Sequence, residues 1–206
     1  MRPGSLDSVS MRLIGEGAEA RIYAGTILGF GMAIKTRHRK NYRIEILDSE
    51  LRRLRTRNEA RIMLRLAGSG IRVPRLFAVG RFSIYMEMLD GILLRDADIY
   101  ASHMHSAGVM LGRMHSQNVA HGDFTPANLM LCGRGLYAID FGLSMMGNST
   151  EEKAIDLLLM KRAVDPKLYK SFIKAYSGSA GAADIIKRSE EMERRGRYQV
   201  RTLAAV

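Results

Sequence analysis

His121-Gly122-Asp123-Phe124-Thr125-Pro126-Ala127-Asn128, followed by Asp140-Phe141-Gly142, puts a carboxylate and a carboxamide on one loop and a second carboxylate a strand-length later. Phosphoryl transfer calls for such a trio. One Asp accepts or orients the proton of the nucleophile, and an Asn and an Asp hold Mg2+ against nucleotide phosphates. Between them, Leu129-Met130-Leu131 and Leu136-Tyr137-Ala138-Ile139 are short apolar runs around the turn Cys132-Gly133-Arg134-Gly135. The pattern predicts a hairpin. An antiparallel pair brings its outer ends together, so Asn128 and Asp140 should converge. Mg2+ needs only one or two protein ligands beside phosphates and water. Asp123 is therefore the candidate catalytic residue, and Asn128 and Asp140 are the candidate metal ligands.

Working outward, Leu13 to Tyr23 reads as strand, small-residue turn, strand. Gly15, Glu16, Gly17, Ala18 and Glu19 form a candidate phosphate cradle, because glycines let backbone amides approach oxygens. With Ala20 at the third small position, a plain hairpin reads equally well. Gly31-Met32-Ala33-Ile34-Lys35 is a short strand ending in a lysine that can reach α- and β-phosphates. From Ile44 to Ala67 the pattern is helical, with Leu47, Leu51, Leu54, Ile62 and Leu66 expected on one face. Glu59 on this helix is the candidate partner of Lys35, with Glu50 as the competitor. Arg52, Arg53, Arg55, Arg57, Arg61 and Arg65 crowd the same helix. Lys35 to Arg65 holds eleven Lys/Arg against four Asp/Glu, more than local carboxylates can balance, which suits a polyanion or an acidic partner.

Val73-Pro74 breaks the helix, and strands around 77–79 and 82–86 follow. Met86, Glu87 and Met88 lie where a two-lobed kinase holds adenine. A helix from Tyr100 to Gln117 carries His103, His105 and His115 without carboxylates at metal-ligand spacing, so they read as packing or surface residues. After a short polar loop, helices are expected at Glu151 to Ala163, Pro166 to Tyr176 and Ala183 to Arg195. The run from Arg194 to Arg201 is basic and expected to be mobile unless bound.

The 206 residues carry a formal charge of +11, with 47% hydrophobic and 26% charged residues. This is a globular composition with an attraction to RNA, DNA or acidic surfaces. The lone Cys132 excludes an internal disulfide and fits a reducing, cytoplasmic setting. No apolar run approaches a membrane span of about 20 residues. Met1 to Ser5 lacks the apolar core of a signal peptide, and Met11 reads as a second possible start.

The glycine-rich turn, Lys35, the Asp123–Asn128 loop and Asp140-Phe141-Gly142 make the chain similar to eukaryotic-type protein kinases. Gly17-Ala18-Glu19-Ala20, Arg57-Asn58-Glu59-Ala60-Arg61, Val73-Pro74, Ile139 to Leu143 and Glu152-Lys153-Ala154-Ile155-Asp156 narrow this further. They resemble the small atypical kinase of the KEOPS complex, called PRPK in animals and named after bud-site selection in yeast. The resemblance implies an α+β, minimal bilobal protein-kinase-like fold. It divides into a tail (1–10), a β-rich N-lobe (11–87), a reduced helical C-lobe (88–190) and a basic tail (191–206). It implies ATP and Mg2+ as cofactors and Glu59 as the helix glutamate. It also implies partnership with the threonylcarbamoyl-transferase subunit and other KEOPS subunits, and tRNA contact through the basic tail. The arginine-rich N-lobe helix is the second candidate tRNA surface. Gly122 stands where ordinary protein kinases carry an arginine, and Thr125 where they carry a lysine. Only sixteen positions separate Asp140 from Asp156, too few for a full activation segment. Water or the chain's own serines are therefore the expected phosphate acceptors. A stand-alone protein kinase and a nucleotide-dependent scaffold for tRNA and partners are the alternatives.

Overall fold

The computed structural model describes residues 11–17, 19–27, 30–40 and 44–203, the side chains at 27, 30 and 196–203 excepted. The expected tail at 1–10 and Ala18 of the glycine-rich turn lie outside the described residues. Two compact units form, Met1–Arg61 with Pro74–Leu89 and Ile62–Val73 with Asp90–Val206.

The first unit is an antiparallel sheet with one helix. Its strands are β1 (Arg12–Glu16), β2 (Ala20–Ile27), β3 (Phe30–Arg37), β4 (Leu76–Val79) and β5 (Ser83–Glu87), and helix α1 (Glu45–Gly68) follows β3, its residues from Ile62 onward belonging to the second unit. The sheet order is β1-β2-β3-β5-β4. Because β3 lies at the centre, Met32, Ala33, Ile34 and Lys35 are all buried, as a strand covered on both faces requires.

The structure corrects the expected stripe on α1. Ile62 and Leu66 are fully buried, but Leu47 is 53% and Leu54 65% exposed. The inward face of the first half is polar instead, with Asp48, Thr56 and Glu59 buried. Asp48 takes the Arg52 guanidinium at 2.7 Å, and Thr56 Oγ1 donates to the Arg52 carbonyl at 2.8 Å. Ionic partners rather than leucines hold this half of the helix, and the leucines turn outward.

The second unit contains β6 (Gly91–Leu93), α2 (Ala101–Ser116), β7 (Val119–Ala120), β8 (Leu129–Cys132), β9 (Gly135–Ala138), β10 (Met145–Met146), α3 (Thr150–Ala163), α4 (Pro166–Tyr176) and α5 (Ala182–Leu203). One sheet runs β6-β8-β9, and β10 pairs with β7. Met104, Ala107, Leu111 and Met114 of α2 are fully buried, as are Phe172 and Tyr176 of α4. The approach of these helices is close: a Cβ at Gly108 would lie 2.2 Å from the Phe172 carbonyl oxygen. Ser149 caps α3 by accepting from the Glu152 amide. Asp165 caps α4, with Pro166 at its first turn, a standard pairing of cap and N1 residue. The last helix runs to Leu203, so the segment expected to be mobile continues α5. No helix among the described residues is long and apolar enough to cross a membrane.

Candidate active site

Each unit carries one constellation. In the first, Lys35 pairs across the sheet with Ile22 on β2 and Ile84 on β5. Its Nζ lies 2.7 Å from Glu59 Oε1, with both side chains at least 94% buried. The second carboxylate oxygen of Glu59 takes Arg37 Nη2 at 2.6 Å. A buried carboxylate gripped by two cations is fixed on both oxygens, which satisfies the condition for keeping such charges out of water. Sequence reasoning missed Arg37. Its spacing from Lys35 at i+2, on the same face of β3, was the available signal. Glu50, the competitor, pairs with Arg53 on the surface at 2.6 Å.

The glycine-rich turn is closed by the Gly17 amide donating to the Ala20 carbonyl at 2.9 Å. Gly15 faces Ile22 and Glu16 faces Arg21 in the β1–β2 ladder, where Glu16 also ion-pairs with Arg21. Glu19 does not point free. Its carboxylate bonds to Arg37 Nη1 at 3.3 Å and to Arg55 Nη1. Met86 and Glu87 end β5 opposite Ala33 and Met32 of β3. The Glu87 amide bonds to the Arg75 carbonyl, and its carboxylate takes the Arg75 amide at 3.1 Å. Met88 follows, partly exposed.

In the second unit, the hairpin β8–β9 pairs Leu129 with Ala138. The Ile139 amide continues the ladder to the Asn128 carbonyl at 3.0 Å. Asn128 and Asp140 therefore leave adjacent rungs. The Asn128 amide nitrogen donates to both the Asp123 carbonyl and Asp123 Oδ2, each at 2.8 Å. With its nitrogen committed to Asp123, Asn128 keeps its carboxamide oxygen as an acceptor. Asp140 adopts a left-handed backbone, φ 59°, and its Oδ1 accepts the Gly142 amide at 3.1 Å. The resulting donor set is a carboxamide oxygen and a carboxylate, the hard oxygen ligands that suit Mg2+. Among the described residues no group of three or more His, Cys, Asp and Glu could hold a metal by itself. A cation here would share its shell with phosphates and water.

The loop before Asp123 hangs on Asp156 of α3. This fully buried carboxylate accepts the amides of His121 at 2.7 Å and Gly122 at 2.8 Å. It also takes His115 Nε2 at 3.1 Å, while His115 Nδ1 meets the Tyr176 hydroxyl at 2.7 Å. Burial pushes the His115 pKa below its usual value, against the Asp156 hydrogen bond and charge. Burial likewise raises that of Tyr176. A neutral His115 donates to Asp156 and accepts from Tyr176.

His121 is neutral for the same reason, with burial lowering its pKa. Its Nε2 donates to the Ile139 carbonyl at 3.2 Å, and its Nδ1 accepts the Asp123 amide at 3.3 Å. Its ring sits 5.0 Å from Phe141 and 5.6 Å from Phe124. One imidazole thus ties the strand before Asp140 to the backbone of Asp123. Ser144 Oγ donates to the His121 carbonyl at 2.7 Å.

Gly122 has φ 80°, and a Cβ there would lie 2.4 Å from the Leu143 carbonyl oxygen. An arginine cannot occupy this position. Lys153, buried at the start of α3, donates to Asn118 Oδ1 at 3.1 Å and Asn148 Oδ1 at 3.0 Å. It ties the end of the short segment after Gly142 to the turn before β7, and burial lowers its pKa.

A sheet-and-helix unit holding a Lys–Glu pair and a helical unit holding an Asp/Asn/Asp loop define a protein-kinase-like fold. The Rio2 kinase of Chaetomium thermophilum, solved as an ADP/Mg2+-phosphoaspartate complex, superposes with a TM-score of 0.65. It is 21% identical, and the match covers 95% of this chain and 72% of that one. Residues 20–176 match the RIO domain. The KEOPS complex subunit Bud32 of Pyrococcus abyssi is 33% identical over 216 residues, 93% of this chain and 98% of the relative. A probable serine/threonine-protein kinase BUD32 homolog of Archaeoglobus fulgidus is 32% identical over 191 residues, 90% and 94% of the two chains. A probable bifunctional tRNA threonylcarbamoyladenosine biosynthesis protein of Methanobrevibacter smithii is 35% identical over 197 residues. There the match covers 90% of this chain but only 36% of the relative, so the chain spans about a third of the bifunctional proteins it matches. The chain belongs to the RIO-domain family, in its Bud32 branch.

Proposed function

We propose that the chain is an ATP- and Mg2+-dependent atypical kinase/ATPase that serves threonylcarbamoyladenosine formation on tRNA within a KEOPS-type assembly. The observation that carries this reading is the Asp123–Asn128–Asp140 cluster, held by Asp156 and His121 and accompanied by the Lys35–Glu59 pair. Asp123, fixed by the Asn128 amide, orients the attacking oxygen and takes its proton. Asn128 Oδ1 and the Asp140 carboxylate would hold Mg2+, which would supply charge neutralisation to the nucleotide phosphates. Lys35, kept extended by Glu59, binds phosphate oxygens. Gly15, Glu16, Gly17, Ala18 and Glu19 form the phosphate-side turn, and Met86, Glu87 and Met88 the adenine side. This division extends to the domains, with an N-lobe at 11–87 and a reduced C-lobe at 88–190.

The short run from Gly142 to α3, with β10 only two residues long, supports water or the chain's own serines as acceptors over a bound peptide. Arg57 and Arg61 of α1 are exposed and have no ion-pair partner among the described residues. They and the basic end of α5 are the proposed tRNA contacts, and the threonylcarbamoyl-transferase subunit and other KEOPS subunits the proposed partners, in the cytoplasm. The test is ATP turnover by the chain alone, then with a transferase subunit and tRNA added. Stimulation by both supports the reading. Strong transfer of labelled phosphate to one foreign protein in a cell extract, without such stimulation, favours an independent protein kinase.

A further inference from the structure

A small pocket lies in the first unit. Glu19, Arg37, His38, Lys40, Arg52 and Arg55 line one pocket, which takes residues from the turn before β2, the end of β3, the linker after it and α1. Apart from Glu19, none of the residues proposed to hold nucleotide lines it. Four of the lining residues, Arg37, Lys40, Arg52 and Arg55, are cations and one, Glu19, is a carboxylate.

The Arg52 guanidinium bonds to Asp48 at 2.7 Å and to the Arg37 carbonyl at 3.4 Å, and stacks on the Phe82 ring at 3.9 Å. His38 Nε2 is buried and, among the described residues, has no hydrogen-bond partner, a condition that native interiors rarely leave without a reason. Its pKa lies below the usual value, through burial first and then the Arg21 charge, with Glu16 opposing and Lys40 and Arg52 adding to the lowering. Glu19 already behaves as an anion in this place, accepting from Arg37 and Arg55.

We propose that this pocket is a phosphate-binding site. His38 Nε2–H, Arg52 and Arg55 are its donors, and Glu19 is the internal anion that phosphate displaces. Guanidinium forks suit phosphate oxygens better than single-point charges do. A basic lining suits the oxygens of a phosphate group, whether that group is free or carried on an RNA strand.

The test follows the His38 ring by NMR in the full chain. Inorganic phosphate is added at constant ionic strength with chloride as the balancing ion, and a short single-stranded RNA is added separately. A saturable shift of the His38 signal by phosphate is expected. Arg55→Gln should weaken it about tenfold, the loss of one charged hydrogen bond. Glu19→Gln should tighten it by a similar factor of about ten, since the competing carboxylate is gone. RNA that saturates the same signal and is expelled by excess inorganic phosphate identifies strand-borne phosphate as the source. A response to inorganic phosphate alone identifies the free ion. No saturable shift with either, an equal shift with chloride, or the two substitutions moving affinity in the same direction overturns the proposal.

Discussion

Asp156→Ala removes the acceptor on which the loop before Asp123 hangs. Three donors lose their partner at a fully buried point: the amides of His121 and Gly122 and the Nε2–H of His115. A buried donor left unsatisfied costs about 1–3 kcal/mol. Partial relaxation and entry of water place the sum near the lower end, about 4 kcal/mol. For a chain of this size each kcal/mol lowers the melting temperature by about 2–4 °C. The expected loss is therefore about 8–16 °C. Asp156→Asn keeps one acceptor oxygen but turns an amide against a donor, so it should lose about half as much. Calorimetry gives the temperature, and hydrogen exchange at the His121 and Gly122 amides locates the effect. A shift under about 2 °C with both amides still protected would show that the carboxylate is not their anchor.

Glu59→Gln removes the buried negative charge that Lys35 and Arg37 share, and urea unfolding should register a loss of about 3–5 kcal/mol, together with a fall in ATP turnover. Gly122→Ala forces a side chain into a left-handed backbone against the Leu143 carbonyl, costing about 2 kcal/mol; denaturation and turnover assays should both fall, and an unchanged variant would remove the steric account of this glycine. His115 and His121 have folded pKa values below the ordinary 6.5. The unfolded chain therefore binds more protons as the pH drops through about 6.5, and stability falls by up to about 1.4 kcal/mol per pH unit per histidine until the folded values are reached. Denaturation midpoints that rise on acidification across that range would contradict the neutral assignment of both rings.

How much of this was legible depended on the kind of force involved. The β8–β9 hairpin was readable because two short continuous apolar runs flank a glycine turn, and its register sets Asn128 opposite Ile139, the residue before Asp140. The Lys35–Glu59 contact came through resemblance, since periodicity could not choose between Glu59 and Glu50. The first half of α1 misled for a physical reason. Hydrophobic patterning has no sign for an interior made of ion pairs, so Asp48, Arg52, Thr56 and Glu59 face inward while Leu47 and Leu54 face out. Asp156 was visible only as a landmark sixteen positions after Asp140. Its three hydrogen bonds come from α2 and from the loop after β7, contacts more than thirty residues away in sequence. The β7–β10 pair, two residues to a strand, is too short to leave any pattern. Gly122 was read as a missing arginine, and the backbone shows the requirement to be positive: only a residue without a Cβ fits there.

The central claim is that Asp123 acts on the nucleophile while Asn128 and Asp140 hold the metal and nucleotide. It is tested most directly by Mg2+-dependent ATP hydrolysis of Asp123→Ala beside the unaltered chain, with nucleotide affinity measured on both. The account predicts turnover reduced at least about a hundredfold, the usual worth of a positioned general base, with affinity nearly unchanged. Hydrolysis at the unaltered rate would contradict it.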